Sequence, residues 1–406
     1  MTHMKIIVAQ MGAREHYQIP RMCHASGTLA QLHTDVWATL PVSVSAHLKK
    51  SGSAALSRFL GRGVSDIPQH LVRSYPIVAT WWWWQQQRAQ GRHSLYSLHE
   101  KWGKGFARRV ARKLDSVEHT TFFGFSSASL EALAHERQAG RMAVLDVAAP
   151  THLEEEILNA ERRRFPSWES GGGPIPSSFL ARLEEEWDTA HRIMVNSEWS
   201  KQALVTRGVT ASKIFVVPIA YQGQGDSIPK TTPKTRPLRI LWLGSLCLRK
   251  GFPYALEAAA KLANHGVNFT FAGPSDIDLR QVTWPGNASY IGQVPRIEVG
   301  RLWESHDLFL LPTLSDGFAI TQIEAMAHGL PVISTHCCGD VVEDGLSGVK
   351  IESGSADPIV EAVTRFLDGE VDLGSASIHA LKRARNFSPT EVWKKLEPVL
   401  APKKSN

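Results

Sequence analysis

The sequence predicts two doubly wound α/β domains, each built on a parallel sheet, facing one another across a cleft. Two observations carry this expectation. Short apolar runs of strand length alternate with helical patterns from residue 5 to residue 217, break off, and begin again at residue 240. Such continuous apolar runs belong to strands buried on both faces, as parallel sheets are. Length agrees, since 406 residues exceed what a single hydrophobic core supports. The expected division is 1–220 for the first domain, 221–237 for a linker and 238–386 for the second domain, with a terminal segment 387–406 able to pack back on the first.

In the first half the runs fall at 5–9, 122–125, 143–145, 193–195 and 214–217, with a helical pattern such as 130–140 between them. Residues 222–237, rich in Gly, Pro, Thr and Lys, carry no periodicity and read as the linker. In the second half the strands are expected at 240–243, 269–271, 290–291, 308–311 and 332–333. A last helix, around 390–400, follows the break at Ser388-Pro389.

Composition narrows the class. Hydrophobic residues at 43% and charged residues at 21% are ordinary for a globular chain and argue against long disorder. Cys23, Cys247, Cys337 and Cys338 are too few and too unevenly placed for a disulfide framework, so a reducing cytoplasm is the expected compartment. The N-terminus lacks the apolar run of a secretory signal, and no segment reaches bilayer length. A formal charge of +6 calls for anionic partners, a condition that nucleotide, nucleic acid and anionic lipid all meet.

The densest chemical signal lies between Pro312 and Gly348. After a strand, the chain is expected to turn at Gly317 and run as a helix to Gly329, with Ile320, Ile323 and Ala327 toward the sheet. Asp316 would then sit at the helix start and Glu324 about two turns in. A helix start at the carboxyl end of a strand offers unpaired N–H groups to a diphosphate. A carboxylate further along can accept two ribose hydroxyls. Taken alone, an acidic pair at this spacing is better read as a helix cap and a solvated glutamate.

The surrounding pattern reverses that reading, because it resembles the retaining GT-B glycosyltransferases of family 4, the glycosyl transferases group 1. Their signature is an acid, seven intervening residues and Glu, then Ala-Met-Ala, Gly and Pro-Val; here it falls on Asp316 and Glu324, with Asp in place of the usual first Glu. The resemblance implies that Asp316 contacts the transferred sugar and Glu324 the nucleotide ribose. It extends to 244–251, where family members open with Gly-Arg and close with Lys-Gly. Lys250 matches and implies neutralisation of the departing diphosphate, Ser245 stands where the Arg would be, and Arg249 is its neighbour. Gly244, Gly317, Phe318, Ala319, Ile320 and Val294 complete the donor-binding set that the resemblance implies.

In the first half the likeness is fainter. The loop after the first strand, with Gly12, Arg14 and His16, corresponds to the acceptor-side loop of the family. His152, following Pro150 and Thr151, is the candidate for the histidine that reaches the transferred sugar; a capping or core histidine is an equal reading. None of the seventeen histidines forms a metal-ligand spacing with Cys or acids. The family expectation is accordingly no cofactor and no metal. It also implies a UDP- or GDP-linked sugar donor, a saccharide or lipid-linked acceptor, no nucleic acid partner, and a place in polysaccharide biosynthesis. Retention without an evident nucleophile implies front-face attack. The alternative is a degenerate paralogue that binds nucleotide sugar or a protein without turnover, suggested by Ser245, Asp316 and the absence of a glycine pair in 336–340.

Two features bear on membranes. Trp102, Phe106, Val110 and Leu114 recur every fourth residue beside Lys101, Lys104, Arg108, Arg109, Arg112 and Lys113. This pattern fits peripheral contact with the inner membrane face, and fits better a helix packing its stripe on the sheet with a solvated basic edge. Four consecutive tryptophans, Trp81 to Trp84, cannot all face one core, so at least one is expected in a cleft or at an interface.

Overall fold

The computed structural model describes residues 4–38, 62–86, 88–89, 91–169, 173–223, 227–233 and 237–402. Residues 224–226 and 234–236 of the expected linker, and the end of the expected terminal segment, 403–406, lie outside them.

Seven parallel strands form the first sheet: β1 (Ile6–Gln10), β2 (Leu29–Thr34), β3 (Val72–Ser74), β4 (Thr121–Phe125), β5 (Met142–Val147), β6 (Arg192–Val195) and β7 (Ile214–Val216), in the order β3-β2-β1-β4-β5-β6-β7. Six form the second: β8 (Leu238–Leu243), β9 (Val267–Ala272), β10 (Ala288–Tyr290), β11 (Leu308–Leu311), β12 (Val332–Thr335) and β13 (Gly348–Ile351), in the order β10-β9-β8-β11-β12-β13. Both are doubly wound, and strand order reverses between β1 and β4 and between β8 and β11. Loops leaving β1 and β8 therefore open at the switch points where such sheets hold ligands.

Each sheet is covered on both faces. On one side of the first, Ile6, Val8, Phe123 and Val144 pack with the helix Gln18–Ala25 and with Val392, Leu396, Val399 and Leu400 of the terminal helix Pro389–Leu400. On the other, Ile7, Ala9 and Leu145 meet Phe106, Val110 and Leu114 of the helix Gly91–Leu114 and Leu183 and Trp187 of the helix Ser177–Thr189. The regular stripe of the basic helix is thus internal, while Lys101, Lys104, Arg108, Arg112 and Lys113 stay exposed on its edge. No helix among the described residues is long and apolar enough to cross a membrane.

The terminal helix returns to the first sheet although it follows the second in sequence. Ser388 caps its start by accepting from the Glu391 amide, and Pro389, whose missing N–H costs nothing there, occupies the first turn. At its end the Arg192 guanidinium donates to the carbonyls of Pro398, Val399 and Ala401 at 3.0, 2.7 and 2.8 Å, which answers the unpaired C-terminal carbonyls. Thr121 Oγ1 donates to the Leu400 carbonyl at 2.8 Å. Since Leu396 is fully buried in the first core, Leu396→Ala is expected to cost about 2–5 kcal/mol in denaturant unfolding of that domain. A loss well under about 1 kcal/mol would show the helix to be a dispensable appendage.

Candidate active site between the two sheets

A cavity of about 630 Å³ lies between the carboxyl ends of the two sheets. Its second-domain wall contains Lys250, Arg296, Asp316, Phe318, Ala319, Ile320 and Glu324; its first-domain wall contains Arg14, Glu15, His16, Phe125 and Asn196. Tyr221 and Gln222 of the interdomain strap close one side.

Lys250 reaches the cavity because two loops are zipped together. After β8 the chain makes a short turn, Leu248–Lys250, that ends at Gly251 with φ 75°. A Cβ there would stand 2.0 Å from the Pro312 carbonyl oxygen, so only glycine allows both the left-handed turn and the close approach. The Leu314 amide and Thr313 Oγ1 donate to the Arg249 carbonyl at 2.8 and 3.2 Å. Lys250 Nζ is thereby set against the Asp316 carboxylate in direct contact. Arg249 donates to the Ser315 carbonyl at 2.8 Å and lies 3.6 Å from both Asp316 Oδ2 and Glu154 Oε1. The two neighbouring cations thus converge on one carboxylate. Burial pushes the Asp316 carboxyl up, but Lys250 and Arg249 outweigh it and hold the group below its ordinary range.

The helix expected from Gly317 begins later, at Thr321, and runs only to Ala327. Residues 317–320 instead cross beneath the cleft, with Ala319 in the left-handed region at φ 60°. Asp316 is therefore a loop residue rather than a cap, and Glu324 lies in the first helical turn rather than two turns in. Ile323 and Ala327 are buried as anticipated, whereas Ile320 is half-buried and faces the cavity. Gly317 does not line the cavity; it allows domain contact, since a Cβ on it would stand 1.7 Å from the Ala148 carbonyl oxygen after β5. Burial raises the Glu324 carboxyl despite the opposing charges of Arg296 and His328.

The remaining candidates divide. Arg14 and His16 line the cavity, and Arg296 Nη1 comes within 2.9 Å of His16 Nε2, a contact between the two domains. Gly12 turns away, its amide donating to Asp35 Oδ1 at 2.9 Å. Gly244 presses its carbonyl against the backbone of Gly273, where a Cβ would stand 2.0 Å away. Val294 is half-buried in the loop beyond β10, away from the cavity lining. His152 is a correction: it occupies the first turn of the helix Thr151–Arg164, its ring is buried 5.0 Å from that of Trp187, and its Nε2 is 3.1 Å from Glu184. Helix packing explains it, and it does not line the cavity.

Ser245 and Arg249 line a larger neighbouring cavity of about 930 Å³. Size does not make that one the better anion site. Its other arginines face acids of their own, Arg92 in contact with Glu155, Arg162 with Glu169 at 3.4 Å and Arg280 with Asp278 at 2.7 Å. The smaller cavity sets Lys250 against the Asp316 carboxylate and Arg296 near the half-buried Glu324, the pattern expected where charge is to be handled.

Sequence reading missed Glu15, Asn196, Tyr221 and Arg296 on the cavity wall, and Glu154 behind it. Glu15 lies between Arg14 and His16 in the loop already named, and the others come from separate loops or helices with no local pattern. Asn196, at the carboxyl end of a strand in a doubly wound domain, was the one that position could have indicated. Of the four tryptophans, Trp81 and Trp84 are about half exposed, while Trp82 packs on His99 and Trp102.

Residues 237–369 match the Glycosyl transferases group 1 family. The amylovoran biosynthesis glycosyltransferase AmsK of Erwinia amylovora is 28% identical over 214 residues, 48% of this chain and 53% of the relative. The capsular polysaccharide biosynthesis glycosyltransferase CapM of Staphylococcus aureus is 32% identical over 168 residues, 39% of this chain and 44% of the relative. The chain thus spans about half the length of the curated relatives it matches. Structural likeness is broader: Anabaena Alr3699/HepE, solved with UDP and glucose, superposes with a TM-score of 0.59 at 14% identity over 98% of this chain and 99% of its own. The lipopolysaccharide outer core galactosyltransferase WaaB superposes with a TM-score of 0.61 at 16% identity over the same shares. The chain accordingly has the GT-B fold, two Rossmann-like domains across a cleft, and its residues 237–369 are similar to the glycosyl transferases group 1.

Proposed function

We propose that the protein is a retaining, metal-independent glycosyltransferase that moves a sugar from a UDP- or GDP-linked donor to a saccharide or lipid-linked acceptor in polysaccharide biosynthesis. The observation that carries this reading is the convergence of Lys250, Asp316 and Glu324 on one cavity between the carboxyl ends of two doubly wound sheets. The named activities of AmsK and CapM, and the UDP bound to HepE, support the choice of reaction and of a nucleotide sugar.

Breaking the bond between the anomeric carbon and the phosphate oxygen puts negative charge on the diphosphate and oxocarbenium character on the sugar. In this reading Lys250, with Arg249 behind it and Arg296 across the cavity, neutralises the first, the task a metal ion performs elsewhere. Glu324 accepts hydrogen bonds from the ribose hydroxyls, and Asp316 holds the donor sugar while keeping Lys250 in place. The acceptor hydroxyl attacks the face the diphosphate leaves, which retains configuration. A non-catalytic paralogue is less well supported: the cation missing at Ser245 is offset by Arg249, which reaches the same carboxylate as Lys250.

A thermal-shift series with UDP, GDP and ADP tests nucleotide binding, because a ligand bound only by the folded state raises its stability with concentration. One diphosphate is expected to shift the wild type. Glu324→Gln, losing a charge-assisted hydrogen bond of about 1.5–3 kcal/mol, is expected to weaken it about tenfold or more. Lys250→Ala should cut transfer by about 10²–10³-fold with a smaller loss of nucleotide affinity. Tight nucleotide binding with neither transfer nor donor hydrolysis would contradict the catalytic reading.

A lipid-linked acceptor calls for contact with the inner membrane face. Because the apolar stripe of the helix Gly91–Leu114 is internal, that contact falls to exposed Trp81 and Trp84 beside the basic edge; the Arg88 guanidinium lies 3.3 Å from the Trp84 ring centroid and Lys101 Nζ 5.8 Å from that of Trp81. Flotation with anionic vesicles is expected to be salt-sensitive and lost when Lys101, Lys104, Arg108 and Arg112 are changed to Glu. Equal flotation of both forms would exclude this surface.

A further inference from the structure

We propose that Glu154 of the first domain is a positioning residue that offsets the Arg249 charge, and so weakens the grip on a nucleoside diphosphate enough for it to leave as product. This rests on the glycosyltransferase reading above and deepens it at a residue that lines neither of the two cavities.

Glu154 belongs to the face of the helix Thr151–Arg164 that seats on the second domain. Glu154, Leu158 and Glu161 follow one another at helical spacing. Leu158 is buried in the second-domain core, and Glu161 Oε2 accepts from Tyr254 Oη at 2.6 Å. Beyond the helix, Glu169 Oε1 accepts from the Leu248 amide at 2.8 Å, and the Trp168 carbonyl from the Asp278 amide at 2.7 Å. The seat is therefore fixed without the charge of Glu154. Its Oε1 accepts from Ser315 Oγ at 3.4 Å, as the oxygen of a glutamine would. What a glutamine could not do is neutralise Arg249.

The charges of the cluster balance. Lys250 and Arg249 face Asp316 and Glu154, with Arg249 Nη1 3.6 Å from an oxygen of each carboxylate. Burial pushes the Glu154 carboxyl up and Arg249 draws it back, while Asp316 adds to the rise. With Glu154 ionised the cluster has no net charge. Without it a positive charge remains beside Lys250, on the wall where the donor reading places the diphosphate. The side chains of Lys250, Asp316 and Glu154 are only 17, 16 and 17% exposed, so solvent and salt screen them less than surface charges. An anion in the cavity is therefore held more loosely than the two cations and Asp316 alone would hold it. Release of product limits the turnover of many enzymes, so a carboxylate that lowers affinity for the diphosphate has a use. Glu154 reaches Arg249 from the other domain, and the offset lasts while the helix is seated.

The sign of the effect separates this role from simple docking. A contact that only joins the domains weakens nucleotide binding when it is removed; a charge that offsets Arg249 strengthens it. Calorimetric titration and stopped-flow displacement, at about pH 8 to keep Glu154 ionised, read affinity and dissociation for whichever of UDP, GDP and ADP shifts the wild type. Glu154→Gln is expected to bind it about three- to tenfold tighter, with dissociation slowed to match. Leu158→Ala, which loosens the seat and leaves the charges in place, should bind no tighter than wild type. Unchanged or weaker binding by Glu154→Gln overturns the proposal. Tighter binding by both variants also overturns it, since the gain would then come from the loosened seat. Should Glu154→Gln not fold, the near-isosteric Glu154→Met removes the same charge and carries the comparison. A wild type that binds no nucleoside diphosphate defeats the glycosyltransferase reading first, and this role with it.

Discussion

The Asp316 carboxylate is the point on which the arrangement turns. It is buried against Lys250 and Arg249, and leaving a buried charge unpaired costs about 3–5 kcal/mol, so the three groups move together or not at all. The cluster also joins the domains. Ser315 Oγ donates to Glu154 Oε1 at 3.4 Å and accepts from Trp199 Nε1 at 3.0 Å, both partners being on first-domain helices. Gly317, one residue past Asp316, fits under the Ala148 carbonyl only for want of a side chain. A charge cluster thus sets the cation's position, and a glycine contact sets how closely the first sheet approaches it.

The two walls so brought together are chemically unlike. The second-domain wall carries cations around a carboxylate and a half-buried glutamate, suited to an anionic leaving group and the diol beside it. The first-domain wall mixes the cations Arg14 and Arg21 with His16, Glu15 and the Asn196 amide.

What the sequence disclosed follows from how far apart the contributing residues lie. Alternating strand and helix patterns made both sheets legible, except where a strand is short or polar: β2 carries half-buried Gln31 and buried His33 within it, β3 is Val-Arg-Ser, and β13 is a four-residue edge strand. Lys250 with Gly251, and Asp316 with Glu324, could be read because each set is contiguous and its spacing is fixed by one loop or one helix. On the first-domain wall only the loop after β1 could be read, through Arg14 and His16; Asn196, and Tyr221 of the strap, join it only through tertiary packing. Two misreadings have physical causes. Left-handed Ala319 delays the helix to Thr321, which local propensity does not anticipate, and the reason for Gly317 lies in the other domain. His152 sits after a strand, where a ligand-facing residue is plausible, but the first turn of its helix points at Trp187.

A crystal structure with the bound nucleoside diphosphate tests the account most directly. The diphosphate should lie in the cavity between the sheets within hydrogen-bond reach of Lys250 Nζ, with the ribose hydroxyls on Glu324. A nucleotide seated instead in the larger cavity beside Ser245 and Arg280, or bound where neither Lys250 nor Glu324 touches it, would contradict the assignment.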